Sequence, residues 1–404
     1  MIRRPDYIWQ LARFLDKPQI KIITGLRRSG KSTVLRLLKD KLLYDGINEE
    51  QIILISFESF EWAECSTSQQ LYDFIKKRIQ PDKKIYLLLD EIQEVTGWEK
   101  AVNSFLVDLN VDIYLTGSNA HLLSTDLATY LAGRYVEIPV FTLSYKEFLD
   151  FRMHFFSDNQ TLSNPFIYYL RRGGFPVIHR VNYDEDTAYM VVRDIYASVI
   201  LRDTVQRHKI RDVELLERVI RYAFDTIGST FSGKNVADYF KSQQRKTDIQ
   251  TIYNYLNALE GAFVLYRVPR YDIKGREILK TQEKFYAGDI SMVYSIMGYR
   301  DRMISGILEN IVFLELKRRG YQVYIGKLDN REIDFIGEKQ GGKIYIQVAY
   351  KMESKQTIDR EFSPLLSIND HFPKFVVSMD DFWTDSIEGV KHIYIADFLL
   401  SENW

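Results

Sequence analysis

Cysteine is almost missing from this chain: of its 404 residues, Cys65 alone carries a thiol. That excludes an intramolecular disulfide and a cysteine-rich zinc site, and it fits a reducing compartment. Cys65 itself reads as a small hydrophobe or a loop residue rather than a nucleophile. An excess of either charge is missing too, since 54 Lys and Arg stand against 55 Asp and Glu for a net charge of -1. The chain as a whole therefore does not advertise nucleic-acid binding, and any basic surface must be local. No apolar run reaches membrane-spanning length, and Met1-Ile2-Arg3-Arg4-Pro5 leads into polar residues; a cytoplasmic protein without membrane contact is expected. With 46% hydrophobic and 27% charged residues, the composition is that of an ordinary globular protein. It is too long for one core, and about two to four domains are expected.

The most informative stretch is 20–38, an apolar strand with Ile20, Ile22 and Ile23, a glycine turn, and an amphipathic helix. The turn, Gly25-Leu26-Arg27-Arg28-Ser29-Gly30-Lys31-Ser32, fits G-x-x-x-x-G-K-[ST] at every fixed position. Glycines at both ends let backbone N–H groups close around phosphate oxygens, and the following helix aims its positive end at the same place. Lys31 is expected on the β- and γ-phosphates and Ser32 on Mg²⁺. The nucleotide contacts expected are Gly25, Arg28, Ser29, Gly30, Lys31, Ser32 and Thr33, with ATP as the ligand.

Downstream, Ile85-Tyr86-Leu87-Leu88-Leu89-Asp90-Glu91 reads as a buried parallel strand whose tip emerges where nucleotides bind in open α/β sheets. Asp90 is placed to hold Mg²⁺ and Glu91 to polarise the attacking water. The next strand, 112–116, ends in Gly117-Ser118-Asn119. Asn119, with Ser118 as second choice, is a candidate sensor of the γ-phosphate; a plain turn is the equal alternative. Arg134 follows Gly133 and is a candidate γ-phosphate arginine, acting within the chain or on a neighbouring copy in a homo-oligomer.

These residues, namely 25–33, 87–93, 116–119 and 131–148 with its Gly-Arg-Tyr and Leu-Ser-Tyr-Lys-Glu-Phe segments, resemble the prokaryotic AAA-type P-loop ATPases that carry a C-terminal domain of unknown function. The resemblance implies an additional-strand P-loop core with parallel strands. It implies no settled substrate.

The middle of the chain is helical and aromatic, broken by Gly173-Gly174-Phe175-Pro176, and 144–220 reads as a helical lid. Residues 221–300 read as a winged helix-turn-helix: a helix at 235–240, a polar turn, a second helix opening at Asp248, and a hairpin with its tip at 272–276. Between Lys241 and Lys284 nine Lys and Arg (241, 245, 246, 267, 270, 274, 276, 280, 284) oppose five acids (248, 260, 272, 277, 283), a local balance of +4. DNA and a protein partner stand as equal alternatives for this surface.

In 301–404, a helix bearing Glu309, a strand bearing Asp334 and a strand bearing Gln347 follow the layout of the restriction-endonuclease-like fold, in which acids at these places hold Mg²⁺. Gln347 stands where a carboxylate is usual, and Ala349 where the lysine should be; Lys351 could substitute only from further along the strand. A degenerate fold kept for binding or assembly is favoured over a nuclease. The fold class expected is therefore multidomain α/β: a P-loop core (1–143), lid (144–220), winged helix (221–300) and nuclease-like domain (301–404). The leading function is a Mg²⁺-dependent ATPase acting on DNA or a protein. The alternatives are a nucleotide-gated regulator with little turnover and a metal-dependent nuclease.

Overall fold

The structure, a computed structural model, describes residues 2–79, 83–118, 131, 133–156, 162–242, 247–381, 386–402 and 404. The chain forms two compact units, 1–142 with 261–263 and 143–260 with 264–404. The main break between them falls after Thr142. The divisions expected at 220 and 300 fall inside the second unit.

In the first unit, strands β1 (Ile20–Thr24), β2 (Ile52–Ser56), β3 (Ile85–Asp90), β4 (Val111–Thr116) and β5 (Tyr135–Pro139) form a sheet in the order β2-β3-β4-β1-β5, with every pairing parallel. Alternation along each strand feeds two cores. Ile20, Ile22, Leu87 and Leu89 face a cluster with Leu71, Ile75, Trp98 and Phe105 from helices α3 (Ser68–Lys76) and α4 (Trp98–Asp108). Ile23, Tyr86, Leu88 and Tyr114 face the other, with Tyr7 and Leu11 of α1 (Pro5–Ala12) and Val34, Leu35 and Leu38 of α2 (Lys31–Tyr44). The inner strands β1, β3 and β4 are covered on both faces, so their residues are mostly apolar and buried. Lys21 breaks that rule: fully buried, it forms an ion pair with Asp112 of β4, donates to the Lys17 carbonyl at 3.0 Å, and lies 5.0 Å from the Tyr114 ring centroid.

The second unit holds β6 (Leu265–Asp272), β7 (Glu277–Ala287), β8 (Gln322–Leu328), β9 (Arg331–Lys339), β10 (Gly342–Val348), β11 (Lys374–Ser378), β12 (Ser386–Ile387) and β13 (Val390–Tyr394). They form one mixed sheet in the order β12-β13-β11-β10-β9-β8-β6-β7. Helices Gly233–Ser242 and Ile249–Gly261 lie where a helix-turn-helix is expected. The hairpin expected as the wing forms the edge of this sheet: β6 pairs in parallel with β8, Arg270 opposite Ile325. Its return strand runs on to Ala287, because residues 284–287 continue the antiparallel ladder with β6. Among the described residues no helix is long and apolar enough to cross a membrane.

Candidate nucleotide site and carboxylate cluster

The phosphate loop leaves β1 at Gly25, whose φ of +138° few side chains tolerate. A Cβ there would lie 2.1 Å from the Val140 carbonyl oxygen, so glycine alone lets the two backbones approach. Gly30, left-handed at φ +103°, starts α2 without a side-chain cap, which leaves its N-terminal N–H groups for a ligand. Lys31, the first residue of that helix, is buried; its Nζ donates to Gly25 O at 3.1 Å and Leu26 O at 3.3 Å, and lies 3.8 Å from a Glu91 oxygen. The Ser29 hydroxyl is buried without a hydrogen-bond partner, an orphan polar atom inside the loop that a phosphate oxygen would satisfy. From behind, Arg4 braces the loop, its guanidinium donating to Ser29 O and Phe141 O, both at 2.9 Å.

Because β3 and β4 are adjacent, their C-terminal tips meet beside this loop. The Thr116 hydroxyl donates to Asp90 Oδ1 at 2.6 Å and accepts from the Glu91 N–H at 2.9 Å, joining the two acids. Burial pushes the Asp90 carboxyl above its usual range, against hydrogen bonds from Thr116 and Ser32. Glu91 has a left-handed backbone, φ +54°, strained for a residue with a side chain; its carboxylate accepts from Gln93 Nε2. A cavity of ≈ 370 Å³ opens here, lined by Ser32, Arg36, Ser56, Trp62 and Asp90 among others. A hydroxyl and a carboxylate side by side are hard oxygen donors, so Ser32 and Asp90 fit Mg²⁺. Thr116 was not among the expected site residues, although a hydroxyl at the tip of the strand next to Asp90 is a readable signal. Asn119 lies outside the described residues. Ser118 is buried.

Arg134 requires correction. It precedes β5, which runs parallel to β1 with Tyr135 opposite Ile20, so it sits at the start of β1, where its carbonyl accepts from Ile20 N at 2.8 Å. The phosphate loop leaves the other end, about 13 Å away at ~3.3 Å per strand residue. The guanidinium donates instead to Asn103 at 3.1 Å. A γ-phosphate contact within the same chain is therefore not made.

In the second unit the structure does bring Glu309 and Asp334 together, but around a lysine that the charge count places among the surface bases. Lys284 Nζ lies 3.2 Å from Glu309, 2.8 Å from Glu332 and 3.8 Å from Asp334. Tyr286 donates to Glu309 at 2.8 Å, and Val348 N–H to Asp334 at 2.8 Å. Gln347 turns its amide oxygen to the Asp334 N–H at 3.4 Å. Burial pulls Lys284 down, but the three carboxylates outweigh it and hold the ammonium above its usual range. Burial likewise raises Glu309 and Asp334. The expected metal set Glu309, Asp334 and Gln347 thus does not fit Mg²⁺: a cation already stands among the acids, and the amide is committed to the backbone. Among the described residues no group of three or more His, Cys, Asp or Glu side chains is arranged to hold a metal ion. Ala349 is buried in the core, and Lys351 is exposed and pairs with Glu353 at 3.2 Å.

Part of the local positive balance is spent in pairs: Lys274 with Asp329 at 2.7 Å, Arg267 with Glu260 at 3.0 Å, and Lys284 as above. Arg245 and Lys246 lie outside the described residues, and Arg276 is exposed.

Residues 17–149 match the family described as "AAA domain", and residues 163–302 match "Domain of unknown function (DUF8612)". A Walker-type ATPase of Pyrococcus abyssi shares the fold, with a TM-score of 0.52 at 16% identity over 74% of this chain and 96% of that one. Residues 17–149 carry an AAA-type P-loop domain, the fold of P-loop ATPases. The chain belongs to the family of an "Uncharacterized protein" of Haemophilus influenzae, 39% identical over 99% of both chains. An "Uncharacterized protein" of Methanocaldococcus jannaschii is 29% identical over 83% of this chain and 75% of its own length.

Proposed function

We propose that the chain is a Mg²⁺-dependent ATPase whose first unit hydrolyses ATP and whose second unit engages a macromolecular partner. The observation that carries this reading is the meeting of Lys31, Asp90, Glu91 and Thr116 beside a loop holding an orphan hydroxyl. Lys31 and the N-terminus of α2 bind the phosphates, supplying fixed positive charge where negative charge develops. Ser32 and Asp90 hold Mg²⁺, which when bound neutralises charge on the phosphate oxygens. Glu91 orients the attacking water and accepts its proton. Thr116 positions both acids through one hydroxyl.

A protein partner is favoured over DNA, because Lys284 is buried among acids and Arg267 and Lys274 each pair with an acid, which leaves less of the positive balance for phosphates. Two measurements test the reading. Lys31→Ala should abolish ATP binding and Mg²⁺-dependent phosphate release; release unchanged in that variant rejects the ATPase. Charge reversal at Lys274 and Arg276 should leave any DNA affinity unchanged, whereas a large loss with a steep salt dependence returns the DNA reading.

A further inference from the structure

The carboxylate cluster of the second unit ties together four segments: Lys284 on β7, Glu309 on the helix Ile304–Arg318, Glu332 and Asp334 on β9, and the Val348 N–H on β10. Lys284 is 1% exposed. A buried ammonium is costly unless opposite charge and hydrogen-bond acceptors surround it, and here three carboxylates do so. The same three acids would be costly without it. Tyr286 donates to the same Glu309 oxygen that Lys284 contacts, and the Val348 N–H takes the second oxygen of Asp334.

The roof is closed as well. Gly228, at φ +78°, passes so near that a Cβ on it would lie 3.0 Å from Glu309 Oε1 and 2.8 Å from the Gly306 Cα. Backbone therefore occupies the approach to Glu309. A Mg²⁺ ion bound at about 2.0–2.1 Å from the Glu309 and Asp334 oxygens would stand against the ammonium those oxygens already contact. Two like charges cannot share so small a buried space.

We infer that this pocket carries its own cation: the Lys284 ammonium occupies the place of a divalent metal, closing the nuclease-like layout as a structural staple. It follows that Lys284, together with the backbone at Gly228, keeps a metal from these acids, and that without the ammonium they can take one. This inference stands independently of the ATPase reading.

The test is Mn²⁺ titration of the full chain without nucleotide, followed by electron paramagnetic resonance, in an Asp90→Asn background that removes the proposed carboxylate ligand beside the phosphate loop. With Lys284 in place, no Mn²⁺ should bind at the pocket. Lys284→Ala should create one site, about tenfold or more tighter than any residual binding, and Asp334→Asn should abolish it. Lys284→Arg, which keeps the charge, should stay folded and silent, so the inference remains testable even where the alanine variant fails to fold. Mn²⁺ binding by the chain with Lys284 in place, or by the Lys284→Arg variant, that is lost on Asp334→Asn overturns the inference. So does a folded Lys284→Ala chain that binds no Mn²⁺.

Discussion

Asp112→Ala is the sharpest test of how the ATPase-like unit is held together. It removes the partner of Lys21, whose ammonium is fully buried and whose other contacts are the Lys17 carbonyl and the face of Tyr114. Asp112 also accepts from the Asp16 N–H at 2.9 Å and the Tyr114 hydroxyl at 3.1 Å. Breaking one partner of a buried pair leaves an uncompensated charge and costs about 3–5 kcal/mol. For a unit of this size that is a fall in melting temperature of roughly 6–20 °C. The pH dependence carries a definite sign. Burial already lowers the Lys21 pKa below 10.5, with Asp112 opposing the shift, so the folded state holds fewer protons than the unfolded state between that lowered value and 10.5. Stability contributed by this group therefore rises as pH rises through the window, and removing Asp112 extends the window downward. The deficit of Asp112→Ala should shrink as pH rises towards the ordinary lysine value of 10.5. Lys21→Met combined with Asp112→Asn removes the charges and keeps an acceptor, and should regain most of the loss. Thermal unfolding followed by circular dichroism reads all of this. A single variant within about 0.5 kcal/mol of the parent, or a double variant no better than the single, would refute the argument.

Thr116→Val keeps shape and removes the hydroxyl that links Asp90 to the Glu91 backbone; turnover should fall about tenfold or more while ATP affinity changes less than about threefold. Equal loss of both would make Thr116 a folding residue only. Gly25→Ala must push the phosphate loop off the Val140 carbonyl, so ATP binding measured by calorimetry should vanish, with a stability loss of about 1–3 kcal/mol from the strained φ. Near-parent ATP affinity in that variant would show the loop to be looser than its geometry states.

How much could be read from residues alone follows from how local each feature is. The phosphate loop was legible because the backbone demands glycine at 25 and 30 and the ligand demands Lys31, all within one turn. Asp90 and Glu91 were legible as the tip of a five-residue apolar run. The Lys21–Asp112 pair was not, since a lysine in a strand pattern reads as a solvent-facing residue until a distant acid is known to meet it. Arg134 was misplaced although the signal existed: with β5 parallel to β1, a residue preceding β5 must lie at the start of β1. The hairpin at 265–287 has the same local pattern whether it stands free or extends a sheet, and only the pairing of β6 with β8 decides. Lys284 was counted with exposed bases because charge counting sees composition and not direction. Its three acids come from the 309–334 region, beyond the next helix.

The central claim is that Glu91 prepares water for attack on ATP held by Lys31 and the phosphate loop. Glu91→Gln keeps the size of the side chain and loses its basicity, so one paired measurement on the full chain decides: ATP affinity and steady-state phosphate release in Mg²⁺, parent against variant. The account predicts similar affinity and release slower by about a hundredfold. Release at the parent rate would contradict it, as would a parent chain that binds no ATP.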